Sequence, residues 1–457
     1  MKTGIFLLLA LLAPAAAPAA APRTSAARPD TVPLPPGPAV DHHQHLFSPS
    51  LIGYLRQRSD LPTVELPAGL AALVEERGRA GADSTRLAAL YADSAWLLQA
   101  WRPEWVRGGG AVAGWWARST RSPVRLTPVE FSVDGTAGYV HAYLTAGSGD
   151  SISHPGRVMI AVRQGADSRW KIASEVLALP RDPQLAPLTA DRLVELLDAA
   201  GIRRGVVLST AYLFGSPSYP APADELARVR AENDWIVAQA ARYPDRLVAF
   251  CSFNPTRDYA VEELDRCSRL RGMRGIKLHF GNSRVNLHDA AQVERVRRVF
   301  RAANEHRLPL VVHLRTGGGG PYGRAEAQIF LDSIVTAAPD VVVQVAHLGG
   351  SGPGYQDPPS DEALAAFADA FAARHPATRN LWFDVASIVN HDIPPERAAL
   401  LVTRLRRIGL GRILYGTDSA FGGNLPPRQS WAAFRSLLPL TKAEVRTVAT
   451  NVAPYLR

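Results

Sequence analysis

With 457 residues, a hydrophobic share of 47% and a charged share of 20%, the chain is too apolar for a disordered polymer and too long for one small domain. Its net charge of +9 is spread through arginines, with no Lys/Arg-rich run and no aromatic interleaving, which argues against a nucleic-acid partner. Beyond the first residues no apolar stretch is long enough to span a bilayer.

The N-terminus has Lys2, an apolar run over 5–12 and Ala/Pro repeats with A-x-A sites through Ala21. This pattern predicts a signal peptide over 1–22 and a mature protein that is periplasmic or secreted. No cysteine lies near the cleavage region, so a lipid anchor has no support. A Pro/Ala-rich spacer follows over 23–38. Cys251 and Cys267 fall on an apolar strand and the helix after it, and read as two buried free thiols rather than a disulfide. Lysine occurs only at Lys2, Lys171, Lys277 and Lys442, so Lys277, inside an apolar strand, calls for a local reason.

Residues 39–60 read as a first strand and a loop. The strand ends in Asp41-His42-His43-Gln44-His45. Alternation turns Asp41, His43 and His45 to one face, where two imidazoles two residues apart can hold one metal ion. A bare H-x-H is also what an ordinary polar turn shows.

The texture changes over 61–180. Helical spacing predicts helices over 67–77 and 84–98, with Pro67 at a first helical position and Leu87, Leu90 and Tyr91 on one face of the second. A Trp115-Trp116 helix follows, then strands over 125–133, 138–146, 157–164 and 170–177, separated by turns such as Asp134-Gly135. Helices before a meander of long strands predict a curved sheet wrapped on helices. The runs Leu87-Ala88-Ala89-Leu90-Tyr91-Ala92-Asp93, Phe131-Ser132-Val133-Asp134-Gly135 and Trp170-Lys171-Ile172-Ala173 resemble the nuclear-transport-factor-two-like (SnoaL-like) superfamily. That resemblance implies a cone-shaped α+β domain and leaves its role open.

From 181 to 457 helices and short apolar strands alternate. Strands are predicted over 205–209, 247–252, 275–280, 308–314, 341–346, 380–385 and 413–415. Helices are predicted over 190–200, 224–243, 260–270, 290–306, 325–338, 361–374 and 396–408. With the strand before Asp41 this gives about eight βα units, the count of a (β/α)8 TIM barrel. A doubly wound open sheet is the alternative, but no P-loop is present. The 61–180 domain then falls in a βα loop, on the face where barrel active sites are built.

Period-two reading of the strand ends turns Lys277 and His279, His313 and Arg315, His347, and Asp418 inward beside His43 and His45. Buried groups of this kind are costly unless paired or metal-bound. The runs Asp41-x-His43-x-His45, Gly275-Ile276-Lys277-Leu278-His279, Ala346-His347-Leu348-Gly349-Gly350 and Tyr415-Gly416-Thr417-Asp418 resemble the amidohydrolase superfamily, in the amidohydrolase-related branch that also contains decarboxylases. The resemblance implies that His43, His45, His313 and Asp418 hold a Zn-like divalent ion whose water attacks a carbonyl. It also implies that Asp418 relays the proton, and that His347 either shuttles protons or ligates a second ion. In binuclear members a strand-four lysine is carboxylated and bridges the metals, the role implied for Lys277 if two ions bind. Independently of the family, Arg315 suits a substrate carboxylate beside the Gly-rich stretch 317–320, with pairing to a structural acid as the alternative, and His279 is a second substrate contact. The remaining histidines outside the strand ends read as surface residues.

The leading expectation is a secreted metal-dependent hydrolase of an amide, ester or lactone in a small organic substrate, with an anionic substrate group and a homo-oligomeric state left open. Decarboxylation or hydration of a carboxylic acid is the alternative chemistry, and a non-catalytic ligand-binding protein the alternative class.

Overall fold

The computed structural model describes residues 34–57, 63–99, 105–119, 124–146, 156–178, 187–218, 221–316, 321–391, 393–421 and 424–457. The expected signal peptide, most of the spacer and the 317–320 stretch lie outside them. No helix among the described residues is long and apolar enough to cross a membrane.

The first strand, β1 (Val40–Gln44), is buried throughout. The chain then forms a helix, Pro49–Gln57, where the sequence suggested only loop. Leu51, Ile52 and Tyr54 give this helix an apolar face in the barrel core, and Ser48 Oγ accepts the Leu51 N–H at its start. Phe47 and Leu188 exchange backbone hydrogen bonds, tying the point where the chain leaves for the insertion to the point of return.

The insertion contains β2 (Tyr91–Gln99), β3 (Val106–Arg107), β4 (Val124–Asp134), β5 (Ala137–Ala146), β6 (Gly156–Gln164) and β7 (Trp170–Ala178). They form one sheet in the order β3-β2-β7-β6-β5-β4, backed by helices Ala68–Arg79, Ser84–Leu90 and Gly109–Ser119. The expected helix over 84–98 is corrected here. Helical spacing ends at Leu90, Tyr91 turns extended, and Ala95, Leu97 and Gln99 are buried at alternate positions beside β7. The Leu87/Leu90/Tyr91 spacing mimicked a longer helix; pairing with β7 decides the strand. Pro67 likewise stands just outside its helix as the N-cap residue. The insertion's apolar core shares no residue with the barrel's.

After the return, β8 (Arg204–Leu208), β9 (Leu247–Ser252), β10 (Met273–His279), β11 (Leu310–His313), β12 (Val343–Val345), β13 (Leu381–Asp384) and β14 (Ile413–Leu414) alternate with helices. Together with β1 they make an eight-stranded parallel sheet in the order β1-β8-β9-β10-β11-β12-β13-β14. Backbone bonds from His42 N to Tyr415 O and from Asp418 N to His43 O join the two edges and close the ring. The fold is therefore a (β/α)8 barrel with an inserted α+β domain. Apolar runs such as Leu247–Ser252 are buried on both faces, as parallel strands between a barrel interior and a helical shell must be.

The cysteines are paired, not free. Cys251 on β9 and Cys267 on helix Ala260–Ser268 form a disulfide with Cα atoms 6.5 Å apart. The helix packs straight back over the strand it follows, which brings together two residues 16 apart that sequence alone placed on separate elements.

Candidate active site

The strand ends gather one buried cluster. On β1, the register against β8 shifts between Asp41 and Gln44, so strict alternation fails there. The shift lets Asp41 and Gln44 meet: Gln44 Nε2 donates to Asp41 Oδ2 at 2.7 Å, and Asp41 also accepts from the N–H of His43 and of Thr417. Asp41 is therefore a brace between β1 and the end of β14. Burial pushes its carboxyl up to about 6 against these hydrogen bonds. Gly416 permits the close approach, since a Cβ there would stand 2.9 Å from His43 Cβ.

Three imidazoles are aimed by what holds their Nδ1 atoms. His43 Nδ1 lies 3.1 Å from Asp384 Oδ2, His45 Nδ1 2.6 Å from Leu208 O and His347 Nδ1 2.8 Å from Ala386 O. An Nδ1–H donated outward fixes the tautomer and turns the Nε2 lone pair inward, as metal-binding histidines require. Burial holds all three below their ordinary pKa, His43 down to about 3, so they are neutral donors at neutral pH. His347 and Asp418 both leave their strands in left-handed backbone, φ 53° each, which sets their side chains back over the barrel mouth.

Asp418 lies between them. Its Oδ1 is 3.4 Å from His45 Nε2, and its Oδ2 is 4.0 Å from His347 Nε2. Asn424 donates to Oδ2, whereas the buried Oδ1 has no hydrogen-bond partner among the described residues. Burial raises this carboxyl well above its usual range, only partly offset by the charge of Lys277. An orphaned carboxylate oxygen beside inward imidazole lone pairs fits a divalent cation. The tightest sets that could share an ion are His43, His45 and Asp418, and His43, His347 and Asp384.

Lys277 points into the cluster, with Nζ 3.4 Å from His43 Nε2. Burial brings it down to about 8, against the pull of Asp384 and Asp418. His313 stands outside both tight sets. It stacks on His279 at 3.8 Å between centroids, sits 5.0 Å from the His347 ring and has Ser351 Oγ 3.5 Å from Nε2. His279 accepts the Asn282 N–H on Nδ1. Arg315 is paired with Asp357 at 2.7 Å and lies over the Tyr322 ring, so the structural-acid alternative is realised; it still lines the mouth. His279, His313, Arg315, Ser218 and Ser351 surround a pocket of about 330 Å³.

Sequence reasoning passed over Asp384. It accepts from His43, from the His347 N–H at 2.9 Å and from Gln344 Nε2 at 2.7 Å. Burial raises this carboxyl, but the His43 and His347 contacts outweigh it and leave it below its ordinary range. It ends β13 as the other site residues end theirs, so the same strand-end rule would have found it.

The profile of the family described as Amidohydrolase matches residues 220–451. The chain belongs to the amidohydrolase family. Among solved structures, this amidohydrolase is similar to the 5-carboxyvanillate decarboxylase of Sphingomonas paucimobilis, with 17% identity over 57% of this chain and 79% of that one, TM-score 0.41. It is also similar to a 2,6-dihydroxybenzoate decarboxylase complexed with 2,6-dihydroxybenzoate, with 18% identity over 57% and 85%, TM-score 0.39. A separate similarity links it to an NTF2-like protein of unknown function from Pseudomonas putida KT2440, with 20% identity over 25% and 85%, TM-score 0.21. No curated protein matches this amidohydrolase.

Proposed function

We propose that this chain is a metal-dependent hydrolase that cleaves an amide, ester or lactone bond of a small anionic molecule. The observation that carries the reading is the buried, unpartnered Asp418 Oδ1 among the inward Nε2 atoms of His43, His45 and His347. His43, His45 and Asp418 would hold the ion, with Zn the metal best suited to this nitrogen-and-oxygen set. Such an ion supplies Lewis acidity and lowers the pKa of water towards about 7.

The chain's own residues do the rest. Asp418 takes a proton from the attacking water at a carboxylate oxygen and returns it to the leaving group. His347, fixed through Nδ1, presents Nε2 to the carbonyl oxygen or to a second ion. Asp384 keeps His43 and His347 in place. Arg315, braced by Asp357 and Tyr322, offers its remaining donors to a substrate anion at the mouth, next to His279.

Lys277 has two readings. Carboxylated, it would bridge two ions; as a neutral amine, it would accompany one. Metal analysis decides: one tightly bound ion per active chain, with Lys277→Ala retaining activity, rejects the bridge.

Decarboxylation is the second reading, favoured by a guanidinium at the same mouth as an imidazole that can move protons. A screen of lactones, esters, N-acyl amino acids and aromatic carboxylates separates the two. Release of CO2 without addition of water to the product rejects hydrolysis. Secretion is part of the proposal, supported by the Cys251–Cys267 disulfide, which suits an oxidising compartment. Recovery of the mature chain only in the cytoplasmic fraction would contradict it.

A further inference from the structure

The opposite end of the barrel carries an apolar groove that the proposed chemistry does not use. It lies among the segments that precede β12, β13 and β14, at the amino ends of those strands, and encloses about 520 Å³. That volume is in the usual range of small-molecule sites. Val335, Ala338, Phe371 and Ile408 give it an apolar floor.

Two guanidiniums that line this groove have no polar side-chain partner among the described residues. Arg412 is half-buried, and its guanidinium makes no hydrogen bond or ion pair with a described residue; it lies over the Trp382 ring, 5.1 Å away. Burial lowers its pKa, and no acid stands by to oppose that. Arg374, on the rim, also has no side-chain polar partner among the described residues. Other arginines of these segments are engaged: Arg379 donates to Pro339 O and faces Asp340, Arg404 pairs with Asp361, Arg406 with Glu444 and Arg407 with Asp369. His375, also lining the groove, faces Asp332 at 3.2 Å. A partly desolvated cation is costly without a counter-charge, and a guanidinium is shaped to bind a carboxylate through two donors.

We propose that this groove is a second ligand site, for a small amphipathic carboxylate whose head group pairs with Arg412 and whose aliphatic body lies on Phe371 and Ile408. One molecule then supplies both the charge opposite Arg412 and the apolar surface against the floor, which neither a simple anion nor a neutral hydrocarbon does. The site is independent of the metal cluster and of the reaction assigned to it.

Calorimetric titration of the purified chain with octanoate, 1-octanol and acetate tests this. Octanoate should saturate one site, with the alcohol and acetate at least about ten-fold weaker. Arg412→Gln should weaken octanoate about ten-fold, and Arg315→Gln, at the catalytic mouth, should leave it unchanged. Arg374→Glu reverses charge on an exposed rim without touching the core, so it remains informative if Arg412→Gln does not fold, and it should also weaken octanoate. Octanol or acetate binding as tightly as octanoate would overturn the proposal. So would loss of binding in Arg315→Gln, unchanged binding in Arg374→Glu, or no saturable binding at all.

Discussion

The barrel and the inserted domain both bury charge, and they do so in opposite ways. In the insertion, Arg77 and Glu175 are buried together. Glu175 accepts from Arg77 Nε at 2.9 Å and from Trp116 Nε1 at 2.7 Å, and the Arg77 guanidinium lies 4.1 Å over the Trp116 ring. Of that pair, only Arg77 Nη1 lacks an acceptor. The acid is spent on its neighbours, and the cluster fixes how helix Ala68–Arg79, helix Gly109–Ser119 and β7 pack. In the barrel, hydrogen bonds are used to aim groups rather than to satisfy them. The Nδ1 atoms are taken, while the Nε2 atoms and Asp418 Oδ1 are left facing one another. Unspent lone pairs that face one another make the strand-end cluster a site; a carboxylate consumed by its neighbours makes the insertion's cluster a joint.

Mutations should divide along that line. The largest effect is expected from Asp418→Asn, which removes both a metal ligand and the proton carrier: turnover of the best screened substrate falls by about three orders of magnitude or more, with the melting temperature little changed. A variant that keeps substantial turnover would move the chemistry elsewhere. Glu175→Ala should do the reverse. It leaves Arg77 buried without its counter-charge and costs roughly 3–5 kcal/mol, read as an early melting transition, while metal content stays at the wild-type level.

A third test concerns Glu232, buried beneath Ser48 with Oε1 unpartnered among the described residues. Burial raises its carboxyl from 4.5 to about 7, only partly offset by the Ser48 hydrogen bond. A raised carboxyl favours the protonated folded state, so its contribution is full below pH 4.5 and is lost as pH rises through about 7. Glu232→Gln should flatten that decline by a few kcal/mol, roughly, seen by comparing melting at pH 5 and pH 8. The smallest effect is expected from Arg315→Gln: KM for an anionic substrate rises about ten-fold while kcat changes little. An unchanged KM would leave Arg315 as structure only.

Much of this was legible in sequence because a parallel barrel obeys a simple rule. Short apolar strands alternate with amphipathic helices, and the polar residue ending each strand faces the mouth. That rule located His43, His45, Lys277, His279, His313, His347 and Asp418. It did not anticipate the β1 register shift that joins Asp41 to Gln44, because a bulge has no mark in residue type. It also could not show that His313 pairs with His279 rather than joining the tight sets, since that depends on how far each strand end projects. In the insertion the misread segment was β2, where helical spacing through Leu90 runs directly into a strand whose identity comes from a partner about 80 residues later. The disulfide was missed for the same reason: contact between β9 and its helix is tertiary.

What would make the strand-end cluster a site is a bound metal ion. The most direct measurement is the metal content of the purified chain beside that of His45→Ala, each after dialysis against a weak chelator. The wild-type chain should hold one or two divalent ions and His45→Ala should lose at least one, with both proteins folded. Folded wild-type protein that takes up no divalent ion, or a variant that retains the full complement, would contradict it.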